Sequence, residues 1–375
     1  MRIAVLHNHP IHYKHLLFTA LVKMGVEVDV LFAARSSKLR TASLQPVGSY
    51  YRSHFLTDGS FESLPQVLSA LRAVRNVQQC HPDVVIISGY SYLPCWSVLA
   101  WAKIHRKPIV LWFESNRFDH PRHAVKELIK KIFVRACNVG HVYGKSNREY
   151  LEHLGMRPSA IMEKRATVDS GIFMKRRAAF HSDFRRFVYV GRFSPEKNLP
   201  RLLEAFRIVR DKSRANLVLV GYGPDELLLK QKTSDLGLNE SVVFVGPKTQ
   251  EEVSQAFAES DCLVLPSLSE PWGLVANEAL CAGLPIIVSD QCGCALDLAT
   301  EDTGWVVDAE NTAELAEAML EVCRLPQERL QEMGRAAVKI SAEYTPEACA
   351  RRILANLEEL VERHRTLKRL VNNRA

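Results

Sequence analysis

Two glutamates, Glu270 and Glu278, lie eight residues apart in the stretch SEPWGLVANEALCAGLP. The pattern predicts a loop followed by a helix that begins near Pro271, because proline is tolerated in the first turn. Gly273 would let a ligand approach the backbone closely. The N–H groups around Gly273 and Leu274 would then form an anion site at the start of the helix. One carboxylate would lie beside a bound phosphate, and the other would reach a diol further along the helix.

A simpler explanation of the same pair needs no ligand. Glu270 would offset the helix dipole, and Glu278 would be a solvated acid on the helix surface. Two glutamates at this spacing arise easily by chance, so the pair is informative only together with other segments of the chain.

Four ordered segments resemble the retaining glycosyltransferases of family 4, which have the GT-B fold. They are the E-x7-E stretch together with YVGRFSPEKNLPRLLEAF (Tyr189–Phe206), VGYGPDELLLK (Val220–Lys230) and VVFVGPKTQEEV (Val242–Val253). The resemblance is strong from about Phe187 to Ala342 and weaker over the first 170 residues. It implies transfer of a sugar, with retention of configuration, from a nucleotide-diphosphate sugar to a glycan or a lipid-linked acceptor, as in polysaccharide biosynthesis.

The resemblance also implies how the leaving diphosphate is neutralised. Arg192 and Lys197 would clamp it with fixed positive charge, as Mg²⁺ does in other enzymes. No Asp-x-Asp motif occurs in the chain, so we expect no metal and no cofactor beyond the nucleotide sugar. The alternative for both residues is ordinary surface charge.

The same resemblance assigns the other donor contacts. Glu278 would accept hydrogen bonds from the ribose hydroxyls, and Glu270 would orient the transferred sugar. Gly246 and Lys248 would lie against the base. The Gly-Tyr-Gly turn at Gly221 lacks the third glycine of a dinucleotide fingerprint, so NAD is not expected.

The acceptor half departs from the family pattern. The first loop, His7–Leu17, contains prolines and histidines where many relatives have glycines, and His12 would face either the cleft or its own loop. Glu114 stands where relatives often have a histidine, followed by Asn116. It would orient or deprotonate an acceptor hydroxyl, or merely cap the next turn.

The elements that position these residues read as two series of βαβ units. Apolar runs alternate with helical patterns, and near-continuous apolar strands predict parallel sheets covered on both faces. We therefore predict an α/β GT-B fold, in which two Rossmann-like parallel-sheet domains face a central cleft. The predicted acceptor domain covers 1–172, the linker 173–186 and the donor domain 187–345. The last segment, 346–375, forms a helix that packs back toward the first domain.

Composition limits the partners of the chain. With 47% hydrophobic and 24% charged residues it reads as globular, and a net charge of +7 is too diffuse to indicate nucleic acid.

Nine scattered cysteines without C-x-x-C pairs predict buried thiols in a reducing compartment. The apolar stretch Asp83–His105 is broken by turn residues and predicts a strand and a helix rather than a membrane span. No signal peptide is apparent, so we expect a cytoplasmic protein.

One helical stretch, 123–137, combines an apolar stripe with interleaved basic residues: Val125, Leu128, Ile129, Ile132, Phe133 and Ala136, with Lys126, Lys130, Lys131 and Arg135. The stripe favours packing on the sheet, while the basic edge would suit an anionic membrane surface on the inner face of the cell membrane.

Two rival functions remain open. Another GT-B enzyme, a nucleotide-sugar epimerase or a sugar phosphorylase, would act without this acceptor. A catalytically silent sugar-nucleotide-binding scaffold would explain the unusual His7–Leu17 loop and Glu114, although it has no need of Arg192, Lys197 and both glutamates.

Overall fold

The computed structural model describes residues 1–37, 50–118, 123–174 and 184–372 of the 375-residue chain. Most of the predicted linker, residues 175–183, lies outside the described residues. No helix in the described ranges is long and apolar enough to cross a membrane.

The chain forms strands and helices in alternation. The strands are β1 (Arg2–His7), β2 (Glu27–Phe32), β3 (Arg52–Phe55), β4 (Val84–Ile87), β5 (Ile109–Phe113), β6 (Val139–Val142), β7 (Ile161–Glu163), β8 (Arg185–Val190), β9 (Ala215–Val220), β10 (Val242–Gly246), β11 (Cys262–Leu265), β12 (Ile286–Ser289) and β13 (Gly304–Val307). The helices are α1 (His12–Lys23), α2 (Gln66–Cys80), α3 (Leu93–Ile104), α4 (Ala124–Ala136), α5 (Lys145–His153), α6 (Ser170–Phe173), α7 (Leu199–Lys212), α8 (Glu226–Asp235), α9 (Gln250–Ala258), α10 (Leu274–Cys281), α11 (Ala295–Leu298), α12 (Thr312–Arg324), α13 (Gln327–Ser341) and α14 (Pro346–Asn372).

The first seven strands form one parallel sheet in the order β3-β2-β1-β4-β5-β6-β7. Its central strands are buried on both faces, which explains their unbroken Val/Ile/Leu runs. The sequence reading missed the two edge strands. Arg-Ser-His-Phe in β3 is too polar to indicate a strand, and β7 has only three residues.

The second sheet is also parallel, in the order β10-β9-β8-β11-β12-β13. Two parallel sheets, of seven and six strands, confirm the predicted α/β GT-B architecture. Helices cover the two edge strands of this sheet less completely than predicted, because the side chains of Val243 in β10 and Val306 in β13 are exposed. The stretch Asp83–His105 forms β4 and α3, as predicted from its turn residues.

The last helix, α14, packs against α1 of the first domain. Its buried side chains Cys349, Ala350, Ile353 and Leu357 share a core with β1 and with Phe18. Helix α14 therefore connects the region after the second sheet to the face of the first sheet.

Helix α4 corrects the expectation for the stretch 123–137. The apolar stripe does not pack on the sheet: Val125, Leu128, Ile129 and Ile132 are 45–70% exposed. Only Phe133 and Val134 are buried. One turn of α4 therefore anchors the helix, and most of its apolar surface faces outward.

All nine cysteines are free thiols, seven of them buried and two half-buried. The seven buried thiols agree with the prediction, whereas Cys137 and Cys323 are less buried than predicted.

Candidate functional site

A cavity of about 720 Å³ lies between the two domains. The first domain contributes the N-terminal turn of α1, including His12, and the second contributes Arg192, Lys248, Leu274 and Glu278. Five predicted residues from separate sequence segments thus line one cavity at the carboxyl ends of parallel strands, where ligands bind in such folds. Lys197, Glu270 and Glu114 are not among its lining residues.

Glu278 lies in the cavity wall without a partner from the described part of the chain. Its helix, α10, begins at Leu274 with Gly273 as the N-cap residue, so the prediction that it begins near Pro271 was wrong. Glu278 is therefore about one turn from the helix start rather than two. Burial raises the pKa of its carboxyl to about 7. A half-buried carboxylate aimed into a cavity suits a ligand that donates hydrogen bonds, rather than the solvated surface role.

Gly273 is required by the backbone at this helix start. Its φ of +96° is unfavourable for any other residue, and an added Cβ would lie 3.0 Å from Leu265 Cδ2. The N–H of Ala276 donates to the carbonyl of Gly273 at 2.9 Å. The N–H groups of Leu274 and Val275 precede the first hydrogen bond of the helix, so they are available to an anion.

Lys197 and Glu270 form an ion pair, with 2.5 Å between Nζ and Oε2. Lys197 is the last residue of a single 3-10 turn. Asn198 follows it in the left-handed conformation, at φ +58°, and ends the turn. The Asn198 amide donates hydrogen bonds to the carbonyls of Pro266 and Ala309, which ties this turn to the end of β11. The lysine is thereby held beside the loop that carries Glu270.

Arg192 is more loosely held. Its side chain is 51% exposed and its guanidinium contacts the carboxylate of Glu196 at 2.5 Å. Burial alone would raise the pKa of the Glu196 carboxyl, but hydrogen bonds from Arg192 and Ser194 lower it to about 2. An exposed pair of this kind contributes little to stability, so Arg192 is free to exchange its partner for a phosphate.

Glu114 belongs to a charge cluster that the sequence did not indicate. The buried ammonium groups of Lys14 and Lys164 both contact its Oε1, the second at 3.0 Å, and Lys14 also donates to the hydroxyl of Tyr143 at 3.1 Å. The Glu114 side chain is 31% exposed. Although burial alone would raise the pKa of the Glu114 carboxyl, the two lysines hold it well below its usual range.

This cluster changes the expected role of Glu114. A carboxylate with a strongly lowered pKa is a weak base, so deprotonating an acceptor is a poor assignment for it. Its geometry fits an ionised acceptor of hydrogen bonds better. The alternative that Glu114 only caps the next turn does not describe its lysine contacts.

Lys164 provides a test of this cluster. Burial and the nearby Lys14 lower the pKa of Lys164 to about 7, against 10.5 for an ordinary lysine. The unfolded chain therefore binds more protons between pH 7 and pH 10, and the free energy of unfolding rises with pH in that window. We expect Lys164→Met to lose this rise, as measured by thermal melting at pH 7 and pH 9. Lys107→Met, at a half-buried lysine of the same domain outside the cluster, should keep it. A Lys164→Met variant with the wild-type pH dependence would contradict the lowered pKa of Lys164.

The remaining predicted residues are placed as follows. The His12 Nε2 atom lies 3.2 Å from Asp169 Oδ2, and both residues line the cavity. Asn116 donates a hydrogen bond to the carbonyl of Glu270 at 3.0 Å, which joins the first domain to the loop that carries Glu270. Lys248 lines the cavity and pairs with Glu252, while Gly246 precedes the loop at φ +70°.

Trp272 was overlooked in the sequence. It is buried between Tyr143 of the first domain and Tyr344, and its indole N–H donates to Asn277 at 2.7 Å. A tryptophan in a Pro-Trp-Gly turn would have suggested such packing. Lys14 and Lys164 gave no comparable signal, because nothing near them in the sequence indicates burial.

Two family descriptions match the chain. Residues 13–162 match Glycosyltransferase Family 4, and residues 173–340 match Glycosyl transferases group 1. Together they cover both domains in the expected order.

Curated relatives align over shorter stretches. A D-inositol 3-phosphate glycosyltransferase from Nocardia farcinica is 32% identical over 165 residues, which is 42% of this chain and 36% of the relative. The amylovoran biosynthesis glycosyltransferase AmsK from Erwinia amylovora is 28% identical over 194 residues, which is 50% of this chain and 47% of the relative. The chain thus spans about a third to a half of the length of these relatives.

Solved structures share the whole fold at low identity. Sucrose-phosphate synthase from Thermosynechococcus elongatus has a TM-score of 0.75 at 19% identity, covering 96% of this chain and 99% of that one. Anabaena HepE in complex with UDP has a TM-score of 0.73 at 16% identity, covering 96% and 100%. With both domains matched in sequence and the fold matched throughout, this chain belongs to the GT-B glycosyltransferases of the family 4 type.

Proposed function

We propose that the protein transfers a sugar from a nucleotide-diphosphate sugar to a glycan or lipid-linked acceptor, with retention of configuration and without a metal ion. One observation carries the proposal: the interdomain cavity combines Arg192, the start of α10 and the unpartnered Glu278. These groups complement a diphosphate at one end and a diol at the other. HepE, whose solved complexes contain UDP and UDP-glucose, supports a nucleotide-sugar donor.

The proposed chemistry uses fixed positive charge in place of a metal. Arg192 and Lys197 would stabilise the negative charge that develops on the departing diphosphate. The acceptor hydroxyl would attack from the face that the phosphate leaves, and the phosphate oxygen would take its proton. Glu270, held by Lys197 and by the amide of Asn116 at its carbonyl, would orient the sugar hydroxyls.

A donor panel tests the proposal directly. The protein is melted with UDP, GDP and ADP and with their glucose conjugates, each in the presence of EDTA. One nucleotide series should raise the melting temperature by a few degrees, since a ligand at a hundred times its Kd stabilises a fold by about 2.7 kcal/mol. NMR of the product from the active donor should show the donor's anomeric configuration. A response to none of the nucleotides would refute the donor site.

The exposed face of α4 supports a further part of the proposal, peripheral binding to an anionic membrane on the cytoplasmic side. Its outward apolar side chains alternate with Lys126 and Arg135, both exposed. Apolar side chains among basic ones complement a bilayer with acidic headgroups. Such a position would bring the acceptor domain to a lipid-linked acceptor.

Replacing two of these side chains should separate membrane binding from fold. We expect Leu128→Ser with Ile132→Ser to weaken binding to phosphatidylglycerol vesicles at least tenfold, because each buried side chain contributes about 1.5–3 kcal/mol. Co-sedimentation measures the binding, and the melting temperature should stay unchanged. Leu227→Ser, at an 82% exposed position of α8 in the other domain, should bind as the wild type does. Equal binding of all variants would remove α4 from the membrane surface.

A further inference from the structure

Three potential metal ligands meet on one face of the first sheet, away from the cavity. Asp29 lies in β2, His54 in the edge strand β3, and Cys80 is the last residue of α2. In the parallel register Asp29 pairs with Arg52, and Leu31 pairs with His54. Residues two apart in a strand point to the same face, so Asp29 and His54 lie on one face of the sheet, together with Arg52 and Leu31. Helix α2 packs on this face and brings Cys80 to the group.

The ligand atoms have the spacing of a transition-metal site. Asp29 Oδ1 lies 3.3 Å from His54 Nε2, and His54 Nε2 lies 4.0 Å from Cys80 Sγ. All three atoms lie within 4.8 Å of one another. Bonds of about 2.0–2.3 Å to a tetrahedral Zn²⁺ separate neighbouring ligand atoms by about 3.3–3.8 Å. Small side-chain movements would therefore bring the three atoms to bonding distance.

We propose that Asp29, His54 and Cys80 bind a divalent d-block ion such as Zn²⁺. Thiolate, imidazole and carboxylate form a ligand set that zinc accepts, with water in the fourth position. The His54 side chain is 32% exposed, which leaves a route for the ion and the water.

The surroundings of the three residues resemble a supporting shell. Arg52 donates to both Asp29 oxygens at 2.7 Å and fixes the carboxylate plane. Glu27 lies 3.6 Å from the Arg52 guanidinium and balances part of its charge. A purely hydrogen-bonded network of the same residues is the competing explanation.

The site would join elements of the fold and would take no part in sugar transfer. Asp29 is the third residue of β2 and Cys80 ends α2, whereas the cavity lies at the carboxyl ends of the strands. An ion would fasten the edge strand β3 to β2 and to α2. The inference is therefore independent of the proposed transfer reaction, which needs no metal.

Cobalt is a suitable probe for the full-length protein, because its absorption reports ligand type and geometry. After removal of metals with a chelator, Co²⁺ should bind at one equivalent. It should give a thiolate-to-cobalt charge-transfer band and the intense visible bands of a tetrahedral ion. Zn²⁺ should displace the Co²⁺ and raise the melting temperature by a few degrees.

Variants decide between an ion site and a hydrogen-bonded network. Cys80→Ser should lose the charge-transfer band, while Cys137→Ser, a half-buried cysteine of the same domain, should keep it. His54→Gln removes a direct ligand on a partly exposed side chain. It should weaken Co²⁺ binding by more than the roughly 10–100-fold that is typical for loss of an outer-shell partner, even if Cys80→Ser fails to fold. No band in the wild type, or an unchanged band in both Cys80→Ser and His54→Gln, would overturn the proposal and leave the network as the explanation.

Discussion

Replacing Lys197 with methionine should lower kcat for sugar transfer by about 10²–10³, the usual effect of removing one preorganised group that stabilises developing charge. The ammonium lies beside Glu270, and the 3-10 turn that carries it is fixed by Asn198. A diphosphate leaving group gains negative charge in the transition state. Loss of the lysine should therefore affect kcat more than the affinity for the donor. Steady-state kinetics at saturating donor measure the change.

Two further variants make this test specific. Lys230→Met removes the same charge from the same domain. Lys230 forms an ion pair with Glu226 on the surface of α8, so the kcat of this variant should equal the wild-type value. Lys197→Arg keeps the charge in a different shape and should restore part of the activity. If Lys197→Met transfers sugar at the wild-type rate, the lysine is only a counter-ion for Glu270.

The second domain was the more predictable one, and the reason is local. Each of its predicted residues follows a strand that the sequence shows plainly, so parallel topology alone brings strand ends to one edge. Arg192 follows β8, Lys248 follows β10, and Glu278 lies on the helix after β11. What the sequence could not give was the position of the helix start, because Gly273 and not Pro271 provides the N-cap.

The first domain was harder to predict because its chemistry depends on contacts between distant segments. Lys14 and Lys164 are 150 positions apart, and they meet only because α1 and the end of β7 both approach β5. Each lysine alone reads as ordinary surface charge. In the same way, the period of the apolar residues in α4 indicated a buried face, but tertiary packing buries only Phe133 and Val134.

The Glu278 carboxyl should make nucleotide affinity depend on pH. Its pKa of about 7 in the free protein means that it is mostly protonated at pH 6 and mostly ionised at pH 8. Ribose hydroxyls donate hydrogen bonds to the ionised form, so the ligand favours that form. We expect affinity for the preferred nucleotide to rise about tenfold from pH 6 to pH 8. Isothermal titration calorimetry at three pH values measures it.

Glu278→Gln should abolish this pH dependence and weaken binding at pH 8 about 10–100-fold, because a hydrogen bond to a charged group contributes about 1.5–3 kcal/mol. At pH 8 the stability of the Glu278→Gln variant should increase, whereas its affinity for nucleotide decreases. The folded protein holds the Glu278 proton up to about pH 7, whereas an ordinary glutamate releases it near 4.5, so ionisation opposes folding as the pH rises through this window. The variant should therefore melt at a higher temperature than the wild type at pH 8.

This combination of weaker binding and higher stability excludes misfolding as the cause. Glu226→Gln, in the exposed pair with Lys230 on α8, should change neither the affinity nor its pH dependence. If Glu278→Gln binds nucleotide as tightly as the wild type at pH 8, the carboxylate does not contact the ribose. The diol would then have to be bound elsewhere in the cavity, where His12 and Asp169 supply another polar pair.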